Sequence, residues 1–166
     1  MALFKSDLPP IIHQLETAAY RYLSSRPRFS HEVVSFLQTY AHDHSLSPKT
    51  DDINQVITSL KRQSYLDDAD LYRKITLHYL EDKLKGPLLI RQYLLKRGCP
   101  PDRIQATLDR FVTPKRLQTS LSKLMTKKIK RGADTSSYQL KAKIVRYCLS
   151  RGFPASSIYT AFDDWG

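Results

Sequence analysis

His42-Asp43-His44 is the one local histidine pair in the chain, and two imidazoles flanking a carboxylate could ligate a metal or relay a proton. The pair sits in a polar stretch, His42 to Lys49, between two apolar-periodic segments, so solvated side chains are the expected reading. Asp67-Asp68-Ala69-Asp70 looks like paired carboxylates, but a helix cap and a negatively charged first turn account for all three acids. Cys99 and Cys148 are far apart and lack the near partners of a zinc site. His78 falls on a helical face beside Tyr79 and is expected to be a partly buried packing residue. No GxxxxGK[ST] loop and no GxGxxG turn occurs. The expectation is a protein without catalytic residues, metal or cofactor.

Charge is the stronger signal. Residues 1–60 carry five Lys/Arg and six Asp/Glu, a net of −1, so of the chain's +11 the remaining residues hold +12. The densest stretch, 115–146, holds Lys115, Arg116, Lys123, Lys127, Lys128, Lys130, Arg131, Lys141, Lys143 and Arg146 against the single acid Asp134. Ten cations on two helices and their connection repel one another unless something polyanionic or acidic meets them. The candidate binding surface is therefore Lys127, Lys128, Lys130, Arg131, Lys141, Lys143 and Arg146, with Lys83, Lys85, Arg91 and Lys96 as secondary candidates. Of the ten tyrosines, Tyr72, Tyr79, Tyr93, Tyr138, Tyr147 and Tyr159 lie among these basic segments, a pattern that can stack unpaired bases. Tyr93 and Tyr147 occupy equivalent apolar-stripe positions and are expected to pack with a wet hydroxyl, whereas Tyr138 and Tyr159 are free to be exposed.

The elements carrying these residues repeat. Residues 90–111 and 144–165 match at an offset of 54 with no gap: Ile90/Ile144, Tyr93/Tyr147, Leu95/Leu149, Arg97-Gly98/Arg151-Gly152, Pro100/Pro154, Ile104/Ile158 and Asp109/Asp163. Each copy reads as helix, stop, helix. Gly86-Pro87 suits the start of the first, whose stripe is Leu89, Ile90, Tyr93 and Leu94. Gly98 fits a left-handed position just past the helix end, and prolines 100 and 101 open the next helix with Ile104, Leu108 and Phe111. The later copy has Ser136 or Ser137 as cap, then Leu140, Ile144, Tyr147 and Cys148, a stop at Gly152, and Ile158, Phe162 and Trp165.

A longer helix precedes each pair. Asp67 or Asp68 caps one running through Leu71, Tyr72, Ile75, His78 and Tyr79, and Thr113-Pro114 starts one with Leu117, Leu121, Leu124, Met125 and Ile129. A first unit reads less regularly: Pro9 or Pro10 opens a helix with Ile12, Leu15, Ala19 and Leu23. Ser30 caps one with Val33, Val34, Leu37 and Tyr40, and Thr50 caps one with Ile53, Val56, Ile57 and Leu60. Its 42–49 loop is longer and lacks the glycine stop, as terminal repeats often do. The expected fold is all-α, with three tandem three-helix repeats at 8–64, 67–112 and 113–166. Units that touch only their neighbours predict an elongated, curved array. No run reaches the ~18–20 apolar residues of a membrane span. The first ten residues have no signal-peptide pattern, and two cysteines cannot staple a fold. A cytoplasmic monomer is expected.

In order along the chain, Arg26-Pro27-Arg28-Phe29-Ser30-His31-Glu32-Val33, Leu60-Lys61-Arg62-Gln63-Ser64-Tyr65-Leu66-Asp67-Asp68, Gly86-Pro87 through Ile90, Leu94 and Lys96-Arg97-Gly98, and the closing Leu149-Ser150-Arg151-Gly152-Phe153 resemble motifs of the RecX family of bacterial recombination regulators. The resemblance spans roughly residues 11–165. It implies tandem three-helix repeats that lie in the groove of the RecA–single-stranded DNA filament and typically inhibit its ATPase and strand exchange. Its partners would be that filament and single- and double-stranded DNA. The sequence departs from the family where Ser64-Tyr65 replaces a glycine. A stand-alone helical module binding DNA or RNA is the alternative reading of the charge, and an adaptor gripping only protein is a third.

Overall fold

The computed structural model describes residues 9–129 and 137–163, and every regular element among them is helical. In chain order these are α1 Pro10–Ser24, α2 Ser30–Asp43, α3 Thr50–Arg62, α4 Asp68–Leu77, a π turn His78–Asp82, α5 Pro87–Lys96, α6 Pro101–Phe111, α7 Pro114–Lys128, α8 Tyr138–Ser150 and α9 Ala155–Asp163. The chain divides into two compact units, Met1–Leu71 and Tyr72–Gly166.

In the first unit α1 packs on α2 and α3, which also meet each other. The stripes legible in the sequence supply its core: Ile12, Leu15 and Ala19 from α1, Val33 and Leu37 from α2, and Ile53, Val56, Ile57 and Leu60 from α3. Leu23, Val34 and Tyr40 border that core rather than fill it. Two expected caps are displaced by one residue. Ser30 and Thr50 are the first helical residues, after Phe29 and Lys49. The reason lies three residues further on: Glu32 accepts the Phe29 amide at 2.7 Å and Asp52 accepts the Lys49 amide at 2.8 Å, so carboxylates reach back and fix the helix start. The Ser30 amide instead donates to Asp68 at 2.8 Å, while Asp67 accepts the Asp70 amide and caps α4.

The 42–49 loop has no glycine, yet it makes the same stop. Ser45 takes φ +53°, its amide donates to the His42 carbonyl, and the Leu46 amide donates to the Ala41 carbonyl. Ser64, standing where the family glycine was expected, takes φ +62° and closes α3 in the same way. Gly98 and Gly152, at φ +75° and +83°, are the left-handed residues the repeat predicted. The amides of Gly98 and Cys99 donate to Leu95 and Leu94, and those of Gly152 and Phe153 donate to Leu149 and Cys148.

The second unit holds the π turn through α9. The π turn packs on α5 and α7, α5 packs on α6, and α7, α8 and α9 pack on one another. The long helix expected to run through Tyr79 changes winding at His78. The Lys83 amide reaches back five residues to the His78 carbonyl, and Leu84 follows, buried, at φ +49°. His78 is therefore not a packing residue. It is exposed and meets Asp82, four residues on, at 2.8 Å.

The strained Leu84 faces the joint between the repeated segments. Arg151 donates from Nε to the Leu84 carbonyl at 3.2 Å and from a terminal nitrogen to the Lys83 carbonyl. The Gly86 amide donates to the Arg151 carbonyl at 2.7 Å, and the Leu88 amide donates to the Gly152 carbonyl at 3.2 Å. The positive end of α5 thus sits on the negative end of α8. Arg151 thus ties the two repeated segments together. Cys148 is buried on α8, and burial pushes its thiol up to about 11, well outside the reactive range.

Candidate nucleic-acid interface

Of the ten cations between residues 115 and 146, α7 carries five: Lys115, Arg116, Lys123, Lys127 and Lys128. Thr113 accepts the Arg116 amide at 3.3 Å, Pro114 opens the helix, and Leu121, Leu124 and Met125 fix its buried side. The opposite side is left to Lys115, Thr119, Ser122, Lys123 and Thr126 by helical spacing. These residues, with Gln118 and Lys127, line an open hollow of about 700 Å³. Lys115, Thr119 and Lys123 also border a second hollow with Glu81 and Arg116. The Thr119 and Thr126 hydroxyls donate to the carbonyls of Lys115 and Ser122, four residues back.

The predicted candidates do not form one patch. Lys127 and Lys128 are both exposed but point to different sides of α7. Lys127 lines the outer hollow, whereas the Lys128 ammonium sits 4.5 Å from the centre of the Tyr147 ring on α8. Lys143 lies one turn before Tyr147 and shares its side of α8. Lys141 is about 160° around the helix from Lys143, and Arg146 faces away from buried Ile144 and Cys148. Lys130 and Arg131 lie outside the described residues.

Among the secondary candidates, Lys85 sits 4.9 Å over the Tyr79 ring, and Arg91 donates to Gln105, which in turn donates to Asp109. Lys83 and Lys96 are exposed. Tyr79 and Tyr93 lie 4.5 Å apart, and burial, then the neighbouring Tyr93, push the Tyr79 phenol above its ordinary range. Tyr93 and Tyr147 are half-buried, while Tyr138 and Tyr159 are 84% and 59% exposed, so only the latter two offer free ring faces.

Two features escaped the sequence reading. Lys115 and Lys123 belong with Lys127 on one face, which their i, i+8, i+12 spacing could have revealed. Glu81 pairs with Arg116 at 3.2 Å, bringing an acid from the π turn to a stretch whose own sequence holds one. His42 and His44 are exposed, with His44 stacked 3.9 Å from Tyr40. Among the described residues no three His, Cys, Asp or Glu side chains are grouped to hold a metal. Nor is any helix among them long and apolar enough to cross a membrane.

The architecture defines an all-helical repeat protein with a basic helix face. Residues 117–162, which hold most of that face, match the model for the third three-helix domain of RecX. Among curated proteins, "Regulatory protein RecX" of Geobacillus kaustophilus is 26% identical across 89% of this chain and 52% of its own length. The protein of that name from Lactobacillus delbrueckii subsp. bulgaricus is 33% identical across 83% of this chain and 48% of its own. The crystal structure of RecX from Lactobacillus salivarius, 24% identical, superposes with a TM-score of 0.76 over 95% of this chain and 97% of that one. At that identity the likeness speaks for the fold. Similarity to RecX proteins thus extends over most of this chain, with residues 117–162 matching that family's third domain. It spans about half the length of the curated relatives it matches.

Proposed function

We propose that this chain is a non-enzymatic regulator of homologous recombination and DNA repair, which binds the RecA–single-stranded DNA filament and inhibits its ATPase and strand exchange. The division into repeats at 8–64, 67–112 and 113–166, monomeric action in the cytoplasm and independence of any cofactor belong to the same proposal. The observation that carries it is the coincidence of the RecX third-domain match with basic helices α7 and α8. Lys128 and Lys143, beside Tyr147, are the filament contacts we favour, and Lys127, Lys130, Arg131, Lys141 and Arg146 are the further candidates. The stand-alone nucleic-acid module is the second reading, supported by the outer lysines of α7.

Co-sedimentation separates the two. With recombinase filaments on single-stranded DNA, the chain should pellet at salt concentrations where it no longer pellets with bare DNA. A binder of nucleic acid alone would lose both together, since its affinity falls by about 0.7 log units per contact for each log unit of salt. Release from filament and bare strand at the same salt would favour the stand-alone module.

A further inference from the structure

We propose that the outward sides of α5 and α8 form a docking face for an acidic amphipathic helix of a protein partner. α8 carries two apolar stripes. One, through Ile144 and Cys148, is buried in the core. The other is Tyr138, Ala142, Val145 and Leu149, spaced i, i+4, i+7, i+11 and held within about 60° of the helix circumference. It lies about 110° from the core stripe and runs about 16 Å along the axis. Tyr138 and Leu149 are 84% and 43% exposed, while Ala142 and Val145 are half-buried. A helix that served its own core alone would be polar along this line.

The same register is apolar in the preceding repeat. Leu88 and Leu95 stand on α5 where Ala142 and Leu149 stand on α8, and they are 54% and 45% exposed. Among the described residues, Leu88, Leu95 and Leu149 are the exposed large aliphatic side chains. Scattered exposed leucines are ordinary, but leucines confined to one side of two equivalent helices mark a surface. The joint makes the two stretches neighbours: the Leu88 amide donates to the Gly152 carbonyl, so α5 begins where α8 ends.

Charge selects the occupant. Lys141 and Arg146 border the α8 stripe on its two sides, and Arg91 and Lys96 border that of α5. Neither helix contains an acid. Arg146 reaches back along the stripe, its Nε donating to the Ala142 carbonyl at 3.4 Å. A partner helix whose leucines cover the stripe, and whose flanking glutamates meet these cations, satisfies both features at once. A second copy of this chain does not, since each copy carries +11 and would bring cations to cations. Bare nucleic acid would meet the cations but gain little from leucine and valine, which offer no ring to a base. Tyr147 lies about 170° around α8 from this stripe, so the Lys128 seam is a separate place. The proposal does not rest on filament regulation.

The test is fluorescence anisotropy of the full chain with a labelled helical peptide of about 18 residues, five turns long. Its leucines stand at i, i+4, i+7 and i+11 between glutamates, and a scrambled peptide of equal composition and a dT20 strand are the comparisons. The ordered peptide should bind at least about tenfold more tightly than the scrambled one, because only the ordered one presents a leucine stripe. Leu95→Gln with Leu149→Gln should weaken it by about tenfold or more, with dT20 binding kept within about twofold. Glutamine matches leucine closely in helix propensity, so the unfolding midpoint should stay near the wild type. Leu95→Met with Leu149→Met should restore peptide binding. Equal binding of the two peptides, or an affinity untouched by the glutamine pair, would overturn the proposal, since charge alone would then explain capture. So would an equal loss on dT20, which would assign the face to nucleic acid. A wild-type dimer in sedimentation that the glutamine pair dissolves would assign it to a second copy and overturn it too. No recombinase enters these measurements, so the regulatory reading stands or fails separately.

Discussion

Gly86→Val is expected to destabilise the second unit by about 3 kcal/mol, the upper range for forcing a side chain into filled space. A Cβ at Gly86 would lie 2.2 Å from the Gly152 carbonyl oxygen and 2.5 Å from the Phe153 nitrogen. Both neighbours are backbone, so neither can rotate away, and α5 would have to lift off α8. That movement would break the Gly86–Arg151 and Leu88–Gly152 hydrogen bonds, worth about 1 kcal/mol each. Gly152→Ala should be nearly as damaging, since its Cβ would meet the Leu89 nitrogen at 2.8 Å on a residue already at φ +83°. Gly98→Ala meets only the left-handed cost of about 1–2 kcal/mol, because Gly98 is exposed. Urea unfolding of the three variants ranks them. Equal losses at Gly98 and Gly152, or a wild-type midpoint for Gly86→Val, would refute the joint as described.

Reversing Lys128 and Lys143 to glutamate should weaken co-sedimentation with recombinase filaments by more than about tenfold, or some 1.4 kcal/mol. The Lys128 ammonium rests 4.5 Å from the Tyr147 ring centre, which holds the charge at the α7–α8 seam rather than letting it sweep through solvent. Two local cations become two anions, so attraction turns to repulsion at an acidic partner. The cost to the fold should be small, as an exposed cation–ring contact contributes about 0.5–1 kcal/mol. A variant that pellets as the wild type does would shift the contact toward Lys141 and Arg146, which face other sides of α8.

What the sequence made legible was local. Proline starts, the Arg-Gly stops at Gly98 and Gly152, and the stripes of Ile12, Leu37, Ile90 and Ile144 depend on residues within a turn or two of one another. What it hid depends on distant partners or unusual winding. Nothing around Leu84 announces a positive φ; that conformation accompanies a π turn and the grip of Arg151, 67 residues away. Ser45 and Ser64 occupy glycine's conformation because the preceding helix ends supply carbonyls for the next two amides. The candidate surface shows the same limit. Counting cations located α7 and α8, but the order along the chain could not tell that Lys127 and Lys128 part company or that Glu81 returns to Arg116.

Recombinase ATPase on single-stranded DNA, titrated with this chain at fixed excess of DNA, tests the central claim most directly. The account predicts that the rate falls when the chain is far below the number of DNA sites, where coating the bulk strand is impossible. It also predicts that the fall is largely lost with Lys128→Glu and Lys143→Glu. An ATPase rate unchanged by the chain, or one that falls only once the DNA is saturated with it, would contradict the claim.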